Sequence, residues 1–320
     1  MRSGISSRPF STWQKKTTVV LLGTGMPRPS MTASGPATAI VVDGINSEVG
    51  NSFPTVFLVD AGPGVERQLS GANLPINGVT AVFITHLHSD HTLGYPDLIF
   101  TSWVMGRKTA LQVYGPRGLQ RMTDRLIEAY AEDIEVRTKG LEHQTSEGYK
   151  VDVREIGLAS REYGESSKQK DDGIVVYDSL GVCVTALAVP HGNWSFDKLR
   201  TSYAYRFDTP DRSIVVSGDT RYSEELAQFS KGVNVLVHEV YSASHLKPEK
   251  RPGGDDWPKY MHEFHTSDVE VGKVASIAKP KLLLLTHIIG MGATDEELLE
   301  GVRKGGFEGK VVVGKDLGRY

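Results

Sequence analysis

The sequence predicts a layered α/β fold. Short β-branched and apolar runs alternate with amphipathic stretches from about residue 17 to the C-terminus. Most of these runs close on turns rich in Gly, Pro, Ser or Asp. Acids and histidines recur where the runs end, the place where loops of layered folds converge on a ligand. The chain has 320 residues, 39% hydrophobic and 23% charged, which is ample material for a core. A layered fold of this length need not divide, so residues 17–320 are read as one domain behind a flexible tail, 1–16.

In chain order, Thr17 to Leu22 is a strand that ends in Gly23-Thr24-Gly25-Met26-Pro27. Ala37 to Val42 and Thr55 to Val59 read as the next two, with the Gly44 to Pro54 loop between them. Asp60-Ala61-Gly62-Pro63-Gly64 follows, and its glycines permit a sharp turn into a helix near Val65. Strand Val79 to Ile84 enters Thr85-His86-Leu87-His88-Ser89-Asp90-His91, and a helix spans about Pro96 to Met105. Strand Ala110 to Tyr114 and amphipathic helix Arg117 to Tyr130 come next.

The second half repeats this rhythm. Strand Val182 to Val189 ends at Pro190-His191-Gly192, and Ser202 to Phe207 is a further strand. Ser213 to Val216 leads into Ser217-Gly218-Asp219-Thr220 and a helix from about Ser223, and Val233 to Val237 ends at His238-Glu239. A helix from near Thr266 gives way after Pro280 to strand Lys281 to Leu285, which ends at Thr286-His287. Helix Asp295 to Lys304 and strand Val311 to Val313 close the chain.

Composition excludes several classes. A net charge of −3 gives no general attraction to polyanions, so a nucleic-acid substrate would need a local basic patch. No apolar run approaches membrane-spanning length. The lone Cys183 has no partner for an internal disulfide and reads as a core residue. Residues 1–16 are basic and serine-containing without the apolar centre of a secretory signal. A cytoplasmic location is therefore expected, with a trimmed organellar or export leader as the alternative.

Thr85 to His91 carries the chemistry. Three histidines and a carboxylate lie within six residues directly after an apolar strand. A helix would spread them around its circumference, whereas a turn can converge them on one point. Imidazole nitrogen and carboxylate oxygen without thiolate suit zinc, or else manganese or iron. Asp60, His191, Asp219, Glu239 and His287 also fall at strand ends, and so many donors point to two ions in a catalytic pocket.

The cluster His86-x-His88-x-Asp90-His91 resembles the signature of the metallo-β-lactamase superfamily. Gly23-Thr24-Gly25, Leu58-Val59-Asp60, Val113-Tyr114-Gly115-Pro116, Ser217-Gly218-Asp219-Thr220, His238-Glu239, His265-Thr266-Ser267 and Leu285-Thr286-His287 are most similar to its tRNase Z and arylsulfatase-like branch. The resemblance implies an αββα sandwich with metals at one edge between two mixed sheets. It assigns His86, His88 and His191 to one ion and Asp90, His91 and His287 to the other, with Asp219 bridging. His88, where the superfamily's iron oxidoreductases generally have Glu, favours a hydrolase.

From such a ligand set, a hydroxide activated by the metals is the expected nucleophile at neutral pH, with Asp90 to orient it or take its proton. Asp60 is expected to lock a ligand imidazole by hydrogen bonding. The resemblance makes His265 a general acid that Glu239 keeps protonated, because a carboxylate partner raises a histidine pKa.

Protonating the leaving group matters most for an unactivated phosphodiester. The expectation is therefore a hydrolase of a phosphodiester or related ester of modest size. The alternatives are a lactone, carboxylic ester or aryl sulfate hydrolase on the same site, then a tRNA 3'-processing endonuclease or a non-catalytic binding protein. Nucleic acid is not the favoured partner, because residues 135–181, where tRNase Z carries a basic arm, hold both charge signs at Lys168, Lys170, Asp171 and Asp172. This region is expected to form a cap or hairpin. A homodimer is a family-based expectation. Aromatic residues Trp194, Phe196, Trp257 and Tyr260 are expected in loops near the pocket.

Overall fold

Strands that are apolar at successive positions must be covered on both faces. In β1 (Thr17–Gly23), Val19 and Leu21 face one apolar cluster while Val20 and Leu22 face another. The same split recurs on the other side of the molecule in β11 (Val235–Tyr241), where Val237 and Leu236 lie in different clusters. The computed structural model describes residues 16–43, 54–157, 173–192, 202–248 and 256–320.

The first sheet adds β2 (Ala37–Val42), β3 (Thr55–Val59), β4 (Val79–Phe83), β5 (Leu111–Gly115), β6 (Val151–Glu155) and β14 (Gly318–Arg319), in the order β14-β1-β2-β3-β4-β5-β6. The second contains β7 (Ile174–Ser179), β8 (Val182–Ala188), β9 (Tyr203–Asp208), β10 (Ser213–Val216), β11, β12 (Leu282–Ile289) and β13 (Val311–Val313), in the order β13-β12-β11-β10-β9-β8-β7. Each sheet is antiparallel in one half and parallel in the other. Between the sheets, Phe83 meets Phe207 edge-on at 5.3 Å and stacks on Tyr114 at 5.0 Å.

Helices cover the outer faces. Among them α1 (Val65–Gly71), α3 (Tyr95–Val104), α4 (Leu119–Ala129) and α5 (Ala131–Lys139) lie on the first sheet's side, and the one-turn α2 (Ser89–Thr92) comes between β4 and α3. On the second sheet's side are α6 (Glu224–Phe229), α7 (Trp257–Phe264), α8 (Asp268–Ala278) and α9 (Asp295–Lys304). The result is the αββα sandwich.

Three features add to the sequence reading. First, within 135–181, β6 pairs in parallel with β5, and β7 turns through Leu180-Gly181 into an antiparallel hairpin with β8, so the described parts extend two different sheets. Their alternating, half-buried residues suit outer strands. Lys168, Lys170, Asp171 and Asp172 lie outside the described residues, as does nearly all of the tail, 1–15. Second, α5 has no buried residue and therefore no apolar stripe to read. It is laced by Arg137–Asp133 and Lys139–Glu135 pairs one turn apart. Third, Cys183 is only half-buried on β8, with a free thiol. Among the described residues no helix is long and apolar enough to cross a membrane.

Candidate metal centre

The strand ends bring the expected donors to one edge of the sandwich. After β4, the turn carries His86 and His88, and α2 carries Asp90 and His91. His191 follows β8, Asp219 follows β10, and His287 comes from β12. Ligand atoms of His86, His88, His191 and Asp219 lie within 4.8 Å of one another, as do those of Asp90, His91 and His287.

Asp219 reaches both groups. Its Oδ1 is 3.3 Å from His91 Nε2, and its Oδ2 is 3.5 Å from His287 Nε2 and 3.8 Å from His86 Nε2. Asp90 Oδ2 lies 3.2 Å from His287 Nε2 and 3.4 Å from His91 Nε2. His88 Nδ1 and His191 Nε2 are 3.3 Å apart.

The residues fit divalent cations. His86 Nε2, His91 Nε2 and Asp219 Oδ1 are buried and have no hydrogen-bond partner among the described residues. Each orphan of this kind costs about 1–3 kcal/mol, which coordination would remove. Burial lowers the pKa of His86 and His88 and takes His191 down to about 4, leaving neutral imidazoles with lone pairs at pH 7. Burial alone would raise Asp219 and Asp90. His287 and His91 outweigh it, and both carboxyls sit below their usual range.

Hydrogen bonds on the far ring nitrogens fix the tautomers. His191 Nδ1 donates to the Phe264 carbonyl at 2.7 Å, which leaves Nε2 as the donor to a metal. His91 Nδ1 meets Asp60 Oδ2 at 2.8 Å. Asp60 also accepts the Thr85 backbone N–H at 2.8 Å and the Thr85 hydroxyl, whose oxygen is 3.0 Å from His86 Nδ1. Asp60 holds this post with φ 64°, a left-handed conformation that Asp tolerates better than most residues.

Asp60→Asn should therefore weaken metal binding on the His91 side by about 10–100-fold. A chelator-competition titration measures it, and unchanged affinity would remove Asp60 from the account. Thr85 was legible only as part of the histidine cluster. The Phe264 carbonyl, a backbone group, leaves no mark in a sequence.

His287 departs from the sequence reading in an informative way. It does not follow its strand but sits inside β12 as a bulge. Glu239 pairs with Thr286 and Val240 with Ile288, so His287 is the extra residue, at φ 43°. Bulges next to active sites re-aim a side chain, and this one points the imidazole at Asp90 and Asp219. β11 also runs on past Glu239, to Tyr241.

Glu239 and His265 form a pair behind Asp219. His265 Nδ1 lies 2.7 Å from Glu239 Oε2, and Glu239 Oε1 accepts the Thr220 N–H at 2.6 Å. His265 caps the end of α7 and precedes Ser267, whose capping box with Glu270 starts α8 and fixes the segment between the helices.

The expected direction of the His265 shift is corrected. Burial lowers its pKa, and burial together with Asp219 raises that of Glu239. The proton count is nonetheless the same. A protonated Glu239 beside neutral His265 holds two protons, as would an imidazolium beside a carboxylate. In both forms His265 Nε2 carries a hydrogen. His265 also lies within ligand distance of Asp219 and His287, but its Nδ1 is engaged by Glu239.

Trp257 and Tyr260 stack on α7, and Tyr260 stacks on Phe264 at 4.4 Å. Trp194 and Phe196 lie outside the described residues.

With this geometry in view, residues 55–288 match the model of the beta-lactamase superfamily domain. The chain belongs to that family. It is a hydrolase of the superfamily, with the metallo-β-lactamase fold. A ribonuclease Z of Mycobacterium sp. (strain KMS) is 29% identical over 306 residues, which cover 94% of each chain. The short form of human tRNase Z superposes with a TM-score of 0.66 at 21% identity, covering 95% of this chain and 98% of that one. The metallo-β-lactamase fold protein YhfI from Bacillus subtilis gives a TM-score of 0.64 at 20% identity, covering 95% and 99%.

Proposed function

We propose that this hydrolase cleaves a phosphodiester, using two divalent cations and His265 as the proton donor to the leaving group. His86, His88 and His191 would hold one cation and Asp90, His91 and His287 the other, with Asp219 placed to contribute to both. When bound, they supply Lewis acidity for a water nucleophile and for a phosphoryl oxygen. Zinc suits the donor set, with manganese or iron as alternatives. Asp90 has a second oxygen that orients the nucleophile or accepts its proton.

The observation that carries the reading is the His265–Glu239 pair at 2.7 Å, buried beside Asp219. An aryl sulfate releases a phenolate, which departs with little help, and a phosphodiester with an alkoxide leaving group gets no such help from its own structure. A proton donor held next to the metal ligands is suited to the second kind of substrate.

The ribonuclease Z relatives favour a second reading, in which the phosphodiester lies in a precursor tRNA. The mixed charges of Lys168, Lys170, Asp171 and Asp172 keep this reading second, because a polyanion is gripped by clustered cations. Both substrates would use the same chemistry.

The test is a side-by-side assay of the metal-loaded chain. Its substrates are a p-nitrophenyl phosphodiester, a p-nitrophenyl carboxylic ester, a lactone, an aryl sulfate and a precursor tRNA with a 3' trailer. Phosphodiester turnover well above all the others supports the first reading, and efficient trailer removal supports the second. Turnover confined to the ester, lactone or sulfate overturns both.

A further inference from the structure

We propose that Asp316, in the C-terminal segment between β13 and β14, is a positioning residue for His287, and that it acts through Thr24. The inference rests on the reading of His287 as a metal ligand.

A bulged strand loses its regular partners where the extra residue sits, so something else must hold the backbone there. The Ile288 N–H, next to His287, crosses to the other sheet and donates to the Thr24 carbonyl at 2.9 Å. Thr24 lies between Gly23, the last residue of β1 and paired with Ala37, and Gly25, whose N–H donates to the Ser34 carbonyl at 2.8 Å. The N–H and hydroxyl of Thr24 itself are both taken by Asp316, whose Oδ1 accepts each at 2.9 Å. Its Oδ2 accepts the Ser34 N–H and the Gln68 side-chain amide, both at 2.7 Å.

One carboxylate therefore takes four donors from three separate segments. Hydrogen bonds to an ionised acceptor are the stronger kind. The chain of contacts from Asp316 to Thr24 to Ile288 ends one residue from an imidazole whose φ of 43° is unfavourable for any side chain with a Cβ. Such a conformation persists only when its surroundings over-determine it. Here the surroundings include the last few residues of the chain.

The position is sensitive to charge as well as shape. Asp316→Asn keeps the size but presents an amide N–H to donors on one side of the carboxyl. The expected result is a roughly tenfold loss of affinity at the cation site of Asp90, His91 and His287. The site of His86, His88 and His191 should be unchanged.

Calorimetric titration of the metal-free full chain with Mn²⁺ reads this directly, and the step missing in His287→Ala identifies the affected site. Asp316→Glu should recover part of the loss. Leu317→Ala, which trims the neighbouring side chain and leaves every Asp316 contact in place, reports plain loosening of the tail. Wild-type affinities in a folded Asp316→Asn overturn the inference, and so does equal weakening of both steps. If Asp316→Asn fails to fold, Gln68→Ala removes one of the four donors and should weaken the same step alone, and an unaltered step overturns the inference. A wild-type chain that binds no Mn²⁺ or Zn²⁺ would instead overturn the metal reading on which it stands.

Discussion

Asp219→Ala is expected to reduce turnover by more than about 10³-fold, equivalent to about 4 kcal/mol of transition-state stabilisation. It should also cut bound metal from two equivalents to one or fewer. The reason is geometric. Asp219 is 2% exposed, and its carboxylate reaches both donor groups, with Oδ1 near His91 and Oδ2 near both His287 and His86. No other described carboxylate contacts both groups. Without it, His91 and His287 keep the other members of their group but lose the shared anion that holds two positive centres close together. Asp219→Asn preserves shape while removing the charge and should fail nearly as badly. Metal analysis of dialysed protein alongside turnover checks both effects. Two equivalents retained at wild-type affinity would show that Asp219 does not bridge.

His265→Ala should separate substrates by leaving group. On a phosphodiester with an alkyl or nucleoside leaving group, the loss is expected to be about 10²–10⁴-fold, the span of general acid catalysis. On a p-nitrophenyl phosphodiester, whose leaving group departs as a stable anion, it should be less than about tenfold. Glu239→Gln should follow the same pattern more weakly, because the Oε2 contact with His265 Nδ1 at 2.7 Å is what keeps a proton available on the pair. Paired kcat measurements on the two substrates decide the matter. Equal losses on both would assign His265 to structure or to metal binding, the role its proximity to Asp219 and His287 would then take.

Much of this was legible in the sequence because metal ligation needs scarce residue types at strand ends. His86, His88, Asp90 and His91 crowd one turn, and His191 and Asp219 follow apolar runs that could only be strands. All of these come together in the structure. His287 was legible as a residue but not as a bulge, since a bulge depends on how β12 pairs with β11 and no local pattern specifies it. The outer strands β6 and β7 were hidden because half-exposed strands carry mixed residues. The exposed helix α5 lacks the apolar stripe that marks a buried face. Asp316 could not be found from sequence because its four donors come from Thr24, Ser34 and Gln68, far away in the chain. The direction of the His265 shift is not legible either, because it depends on the burial that acts on both partners.

The most direct test of the central claim is turnover of bis(p-nitrophenyl) phosphate by the metal-free chain as Zn²⁺ or Mn²⁺ is added in counted equivalents. The account predicts turnover that climbs and saturates at two equivalents per chain. Saturation at one equivalent, or no turnover with both sites filled, would contradict it.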